Sequence, residues 1–219
     1  MPQEIDISAR MREDILGGSL PFGSRVTIAE LAQRYGVSQM PVRMAFSQLQ
    51  GEGLLTMSDT GRASIRTVTP EFVSNIFDIR GAMEALLIRA AARHITDTAL
   101  GELEAVEKEL EEHVDAARYA EVQKANRRFH KIIANAARNQ DAVEMLDRHF
   151  FLVAALWRRV NYGTERFSGV VNDHRFILKA LRLRNGEAAE ALTRAHVAKA
   201  KLVMLRSEER RVGKECRFR

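Results

Sequence analysis

Four polar residues in the second half of the chain have the spacing of a ligand-holding site. Asn126 and His130 stand four apart on one predicted helix, so their side chains project from the same face. His174 and His196 fall on two further predicted helices, residues 168–184 and 187–205, on either side of the break Asn185-Gly186. In an antiparallel helical hairpin, residues at equal distances from the turn sit side by side, here about ten or eleven on each side. His174 and His196 are therefore expected at one level. Three imidazoles from three helices, with an amide oxygen beside them, form a donor set for Zn, Ni or Mn. The alternative is a metal-free pocket in which the same histidines take an anion directly. Arg80 sits among apolar Ile76, Phe77, Met83 and Leu87, and a buried arginine needs a partner. That partner is either an effector carboxylate in a bidentate pair or Glu84, four residues on. His94, His113 and His149 have no matching positions and read as surface or structural. Trp157, Phe150, Phe151 and Leu156 read as core.

A second set of residues has the chemistry of nucleic-acid contact. Ser38 precedes a predicted helix from about Gln39 to Gln50, with Pro41 in its first turn, where proline is tolerated. Gln39 and Arg43 share one face, with Met40 next to it. Arg43 suits a guanine edge or a phosphate, and Gln39 can pair with adenine. Ser38 and the amides of the helix N-terminus suit a phosphate. Arg62, Arg34 and Arg25 are further phosphate candidates.

The elements that must position these residues follow from local signals. A helix near residues 4–17, with Ile5, Ile15 and Leu16 on its apolar side, stops at Gly17-Gly18. Thr27 caps a short helix, with Glu30 at capping-box spacing, and Gly36 ends it. Ser38 caps the next, which presents Val42, Phe46 and Leu49 inward and ends at Gly51 and Gly53. Leu54–Met57 and Ala63–Val68 alternate as two strands around a tight turn at Asp59–Gly61. Two short helices around a glycine, then a hairpin, is the layout of a winged helix-turn-helix. Thr69 and Pro70 open a series of consecutive helices to about Leu205. The expected fold is mainly α: a winged helix-turn-helix over residues 1–68, then an antiparallel all-α helical bundle over 69–205.

Composition agrees. Hydrophobic residues make up 46% of the chain and aromatics only 6%, which allows a real core and favours helices over sheets. No apolar run is long enough to cross a membrane. The first residues lack the apolar core of a signal peptide, and one cysteine, Cys216, leaves no internal disulfide, so a cytoplasmic location is expected. The net charge of +5 is weak evidence for DNA binding, because six Lys/Arg against three Glu lie in residues 206–219. That tail shows no helical apolar periodicity. It resembles the in-frame translation of a DNA-sequencing adapter, and the expectation is a non-native segment.

Some residues are more specific than the pattern. Thr27-Ile-Ala-Glu-Leu-Ala-Gln-Arg-Tyr-Gly-Val-Ser38, Pro41-Val-Arg43 and Leu49-Gln-Gly-Glu-Gly-Leu54 closely resemble the DNA-binding domain of the GntR family. Asp78-Ile-Arg80, Met83-Glu84, Phe129-His130, Asn139, Asp173-His174 and Ala195-His196 resemble its FadR-type subgroup, which has an all-helical effector (FCD) domain. In that subgroup such a histidine site holds a metal, whose open positions take a carboxylate effector. The resemblance departs in three places. Ala29 and Gln39 stand where the family often has arginine, and Asn126 where it usually has aspartate. The resemblance implies a homodimeric, ligand-responsive regulator, by default a repressor, that binds a palindromic operator in double-stranded DNA and a small organic acid. Two other classes fit less well. A hydrolytic metalloenzyme would want a poised carboxylate base and would leave the DNA-binding half unexplained. A ligand-independent DNA-binding protein would lack a pocket.

Overall fold

A computed structural model describes residues 6–58, 62–158 and 164–215, with side chains at all of these except 148–150, 158, 164–166 and 211–215. The chain divides into two compact units: Met1–Phe72 with Arg148–Arg159, and Val73–Asp147 with Val160–Arg219.

The first unit opens with α1 (Ile7–Gly17), whose Asp6 side chain accepts from the Ala9 N–H. Its core face is Ile7, Met11 and Ile15. The predicted start near residue 4 gives way to Asp6, because a short carboxylate there satisfies an otherwise orphaned donor. A two-residue strand, β1 (Arg25–Val26), leads into α2 (Ile28–Tyr35). The capping box forms in full: Thr27 accepts from the Glu30 N–H and Glu30 accepts from the Thr27 N–H. Gly36 closes α2 with φ of 68°, a left-handed conformation that costs a glycine little.

Helix α3 (Gln39–Gly51) buries Val42, Phe46 and Leu49, the expected inner face, and Ala45 with them. Ser38 holds the N-cap position, but its hydroxyl makes no capping hydrogen bond. The expectation of a side-chain cap fails there because the helix start is exposed and solvent can serve the same amides. Strands β2 (Leu55–Met57) and β3 (Ala63–Ile65) form the predicted hairpin, and Asp59–Gly61 lies outside the described residues. The sheet has a third strand that local sequence signals do not predict. The antiparallel order is β1-β3-β2, with Ser64 opposite both Arg25 and Thr56. Helix α1 is tied to α3 by the Ser8 hydroxyl donating to Gln48 at 2.7 Å and by Arg12 gripping both oxygens of Glu52.

The second unit is helical: α4 (Pro70–His94, starting in the last residues of the first unit), α5 (Asp97–Asp115), α6 (Tyr119–Ala136), α7 (Gln140–Arg158, whose second half belongs to the first unit), α8 (Thr164–Arg182) and α9 (Gly186–Glu215). Side chains cap four of these starts. Thr69, Thr96, Asn139 and Asn185 accept from the N–H groups of Phe72, Ala99, Ala142 and Ala188. Gly186 is favoured by proximity: a Cβ there would lie 3.1 Å from the Arg89 carbonyl oxygen, so the neighbour would have to give by a few tenths of an ångström. Leu87, Ile88, Ala91, Leu103, Phe129, Ile133, Leu146, Ile177 and Leu181 form the main core. Leu156 is fully buried, Phe151 and Trp157 partly so, and the side chains of His149 and Phe150 lie outside the described set. Helix α9 continues past Leu205 to Glu215 and buries Glu208, because Arg206–Arg211 contains no helix breaker.

Thr27→Ala removes one half of the capping box and is expected to cost the first unit about 1 kcal/mol. Thr27→Ser should restore most of that. Urea titration monitored by circular dichroism checks both.

Candidate functional site

The second unit buries six charged or imidazole groups in one region: Arg80, Glu84, Glu107, His130, His174 and His196. His174 on α8 is fully buried, and His196 on α9 and His130 on α6 nearly so. Their rings meet as the hairpin argument requires: His174 and His196 centroids are 5.0 Å apart, and His130 lies 5.3 Å from each. One ring nitrogen of each lies within 4.8 Å of the others. Phe129 stacks on His174 with centroids 4.0 Å apart and planes 3° from parallel, which fixes that ring's tilt. Asn126 stands one turn before His130 on α6. Its Oδ1 is buried and has no hydrogen-bond partner among the described residues.

Each histidine Nδ1 lies against a carboxylate, by a hydrogen bond for His174 and His196 and by close approach without hydrogen-bond geometry for His130. His174 meets Glu107 at 2.8 Å, His196 meets Asp173 at 3.2 Å, and His130 meets Glu84 at 3.3 Å. This is how imidazoles are oriented when the other nitrogen, Nε2, is meant for a ligand. The Nε2 of His130 is buried without a hydrogen-bond partner among the described residues. Burial pulls the His196 imidazole down to about 4, against the opposing Asp173 hydrogen bond, so it is neutral at pH 7. Burial pushes the Glu107 carboxyl up to about 8; Glu111 adds to this and Arg175 opposes it. Burial alone would raise Glu84, but the charge of Arg80, aided by His130, outweighs it and holds that carboxyl well below its usual range.

Arg80 and Glu84 form a buried ion pair on α4, with Nε donating to Oε1 at 2.6 Å and both residues no more than 5% exposed. Of the two candidate partners for Arg80, the carboxylate four residues on is thus present in the chain itself. Beside it lies a narrow cavity of about 10 Å³, room for about one water, lined by Leu87, Ile88, Ile133, Ala134, Leu146 and Ile177 with Glu84, His130 and Thr193 as polar members. The Thr193 hydroxyl is buried and unpartnered among the described residues.

Glu107, Thr193 and the Phe129 stack were missed from sequence. Glu107 had a visible signal. It interrupts the α5 apolar stripe Leu100, Leu103, Leu110 and Val114, and an acid in a buried stripe needs a reason.

Two family models match. One, described as the bacterial regulatory proteins of the gntR family, matches residues 5–65; the other, the FCD domain, matches residues 75–199. The chain belongs to the GntR family, with an FCD effector domain. It is a DNA-binding transcription regulator, and the curated relatives it matches are named as transcriptional regulators or repressors. It is 28% identical over 200 residues to the uncharacterised HTH-type transcriptional regulator YdhC of Bacillus subtilis, covering 89% of this chain and 88% of YdhC. It is 29% identical to a probable D-xylose utilization operon transcriptional repressor of Paenarthrobacter nicotinovorans, covering 84% and 81%. The solved structure of McbR/YncC of E. coli shares its fold, with a TM-score of 0.75 at 17% identity, covering 91% of this chain and 95% of that one.

In this GntR-family chain the candidate DNA-contact residues are mostly exposed. Ser38, Gln39, Met40 and Arg43 lie together at the start of α3 and along its outer side. Arg25 is exposed on β1, and Arg62 is exposed beside β3. Arg34 differs: it pairs with Asp14 at 3.2 Å and donates to the Ser19 carbonyl. No helix among the described residues is long and apolar enough to cross a membrane.

Glu84→Ala leaves Arg80 buried without its partner and is expected to cost about 3–5 kcal/mol in urea unfolding. Replacing both, Arg80→Met with Glu84→Leu, should recover most of the loss. A Glu84→Ala variant within about 1 kcal/mol of wild type would remove the pair from any structural role.

Proposed function

We propose that this regulator is a homodimeric sensor of a small organic acid, and that the acid is held at the histidine cluster and relieves repression. One observation carries the reading: three buried histidines, each braced on a carboxylate, offer nitrogens within 4.8 Å of one another. Burying three imidazoles and two acids, with a third acid half-buried, is costly unless something uses them. The donor set fits Zn, Ni or Mn, with His130, His174 and His196 as ligands and Asn126 Oδ1 as a weaker fourth. Bound there, a divalent cation supplies a Lewis-acidic seat for a carboxylate. The narrow apolar cavity beside Thr193 holds about one water as the helices stand, so they would have to part to take the acid's carbon skeleton there. Arg80 has N–H groups beyond the Nε spent on Glu84 to offer an anion.

Asn126 supports a second reading. An amide oxygen is neutral, so the same histidines and Arg80 would hold the anion without a metal. Elemental analysis of protein dialysed against trace Zn, Ni and Mn separates the two. About one metal per chain, lost in His130→Ala and in His174→Ala and held more tightly in Asn126→Asp, is the expected result. Metal-free wild type that is still stabilised by carboxylates in thermal melts would move the assignment to the second reading.

On the DNA side, Arg43 carries base or phosphate contact at the head of α3, with Ser38, Gln39 and Met40 around it and Arg62 and Arg25 reaching backbone. Arg34 is the weaker phosphate candidate because Asp14 already engages it. A single winged helix with few phosphate contacts binds weakly, so two copies on a palindrome are expected. Coupling between acid and DNA is reciprocal: an acid that weakens DNA binding binds more weakly to the DNA-bound protein. Arg43→Ala should weaken specific binding about fivefold or more, in line with roughly 1–3 kcal/mol for a bidentate contact. Fluorescence anisotropy on a duplex selected from a random pool checks this. An unchanged affinity would remove Arg43 from the interface.

A further inference from the structure

Helix α3 exposes two methionines more than almost any other large apolar side chain among the described residues: Met40 at 64% and Met44 at 68%. They stand one turn apart. At about 100° per residue, the buried set Val42, Ala45, Phe46 and Leu49 faces one way, and Met40 projects almost directly opposite it. Met44 flanks that line on one side, and Gln39 and Arg43 flank it on the other. The positions furthest from the core are therefore Met40, Met44 and the small Ser47, with the polar ridge of Gln39 and Arg43 beside them. Neither methionine packs into this unit's core, although the same helix has apolar positions facing inward. Leaving a pair of large apolar side chains in water has a cost that a ligand with apolar groups would offset.

We propose that Met40 and Met44 read thymine C5-methyl groups in the major groove, and so determine part of the operator sequence. This rests on the reading of α3 as the DNA-contacting helix. The major groove offers one apolar group among its polar edges, the thymine methyl. A thioether side chain is unbranched and polarizable, so it can adapt to a methyl without fixed geometry. Gln39 and Arg43 alone would specify adenine and guanine edges. The methionine ridge adds thymine, which those side chains discriminate poorly.

The test begins with a duplex selected from a random pool by the full-length protein. Each thymine of one half-site is then replaced by deoxyuridine, which removes the methyl and leaves every hydrogen-bonding group in place. Wild type is expected to lose about fourfold in affinity per contacted methyl, from the burial of one carbon. Met40→Ala and Met44→Ala should each lose affinity for the thymine duplex and become indifferent to uridine at one position. Both changes are at exposed sites, and a thermal melt confirms the fold. Wild-type affinity that ignores every uridine substitution overturns the inference. If Arg43→Ala still weakens binding in that case, the DNA-contact reading of α3 stands without it. If no sequence is selected from the pool, that reading falls first.

Discussion

Buried charge in the second unit has to be neutralised in place, and much of the surrounding architecture serves that need. Arg80, Glu84, Glu107, Asp173 and three histidines lie on α4, α5, α6, α8 and α9, mostly sealed from water. An isolated ion there would be prohibitive. The helices must therefore sit where each group finds a partner: Glu84 between Arg80 and His130, a largely protonated Glu107 hydrogen-bonded to His174, and Asp173 between neutral His196 and Lys199. These contacts join five helices at one point. The apolar core around Phe129 and Leu87 supplies most of the favourable free energy, since removing apolar surface from water is the dominant driving force in folding. The polar cluster selects which packing of those helices is acceptable.

The same network explains why the site is suited to binding. A histidine whose Nδ1 is committed to a carboxylate has one defined direction left for Nε2, and Phe129 removes the remaining freedom of the His174 ring. Rigid donors reach a ligand with little ordering still to be done. Surface pairs such as Arg175 with Glu111, Arg182 with Glu104 and Arg128 with Glu109 add little stability individually, being largely solvated.

Much of this was legible in the sequence, for identifiable reasons. Thr27, Glu30 and Gly36 act through bonds to their own neighbours, so their spacing alone announces α2. The meeting of His174 and His196 follows from counting outward from Asn185-Gly186, because a helical hairpin preserves equal distance. The family resemblance covers the same ground, from Thr27 to His196. What escaped depends on contacts that spacing does not encode. Strand β1 has two residues and exists only because β3 runs beside it. The Ser38 hydroxyl could have capped α3 and does not. Glu107 reaches its partner from a different helix, so no local period pointed to His174. The run of α9 beyond Leu205 lacks apolar periodicity and is helical through residue propensity.

The α8–α9 hairpin also restricts how this sequence can change over time. Side chains in the turn, Leu183 to Asn185, can vary as long as the cap survives and Gly186 stays small against Arg89. The number of residues between His174 and His196 is far less free. One residue gained or lost inside either helix would turn everything beyond it by about 100° and carry one imidazole away from the other. Substitutions can accumulate along this stretch, whereas insertions and deletions should be purged. Lineages that keep the histidines should therefore keep the interval between them even where little else of the hairpin's sequence persists.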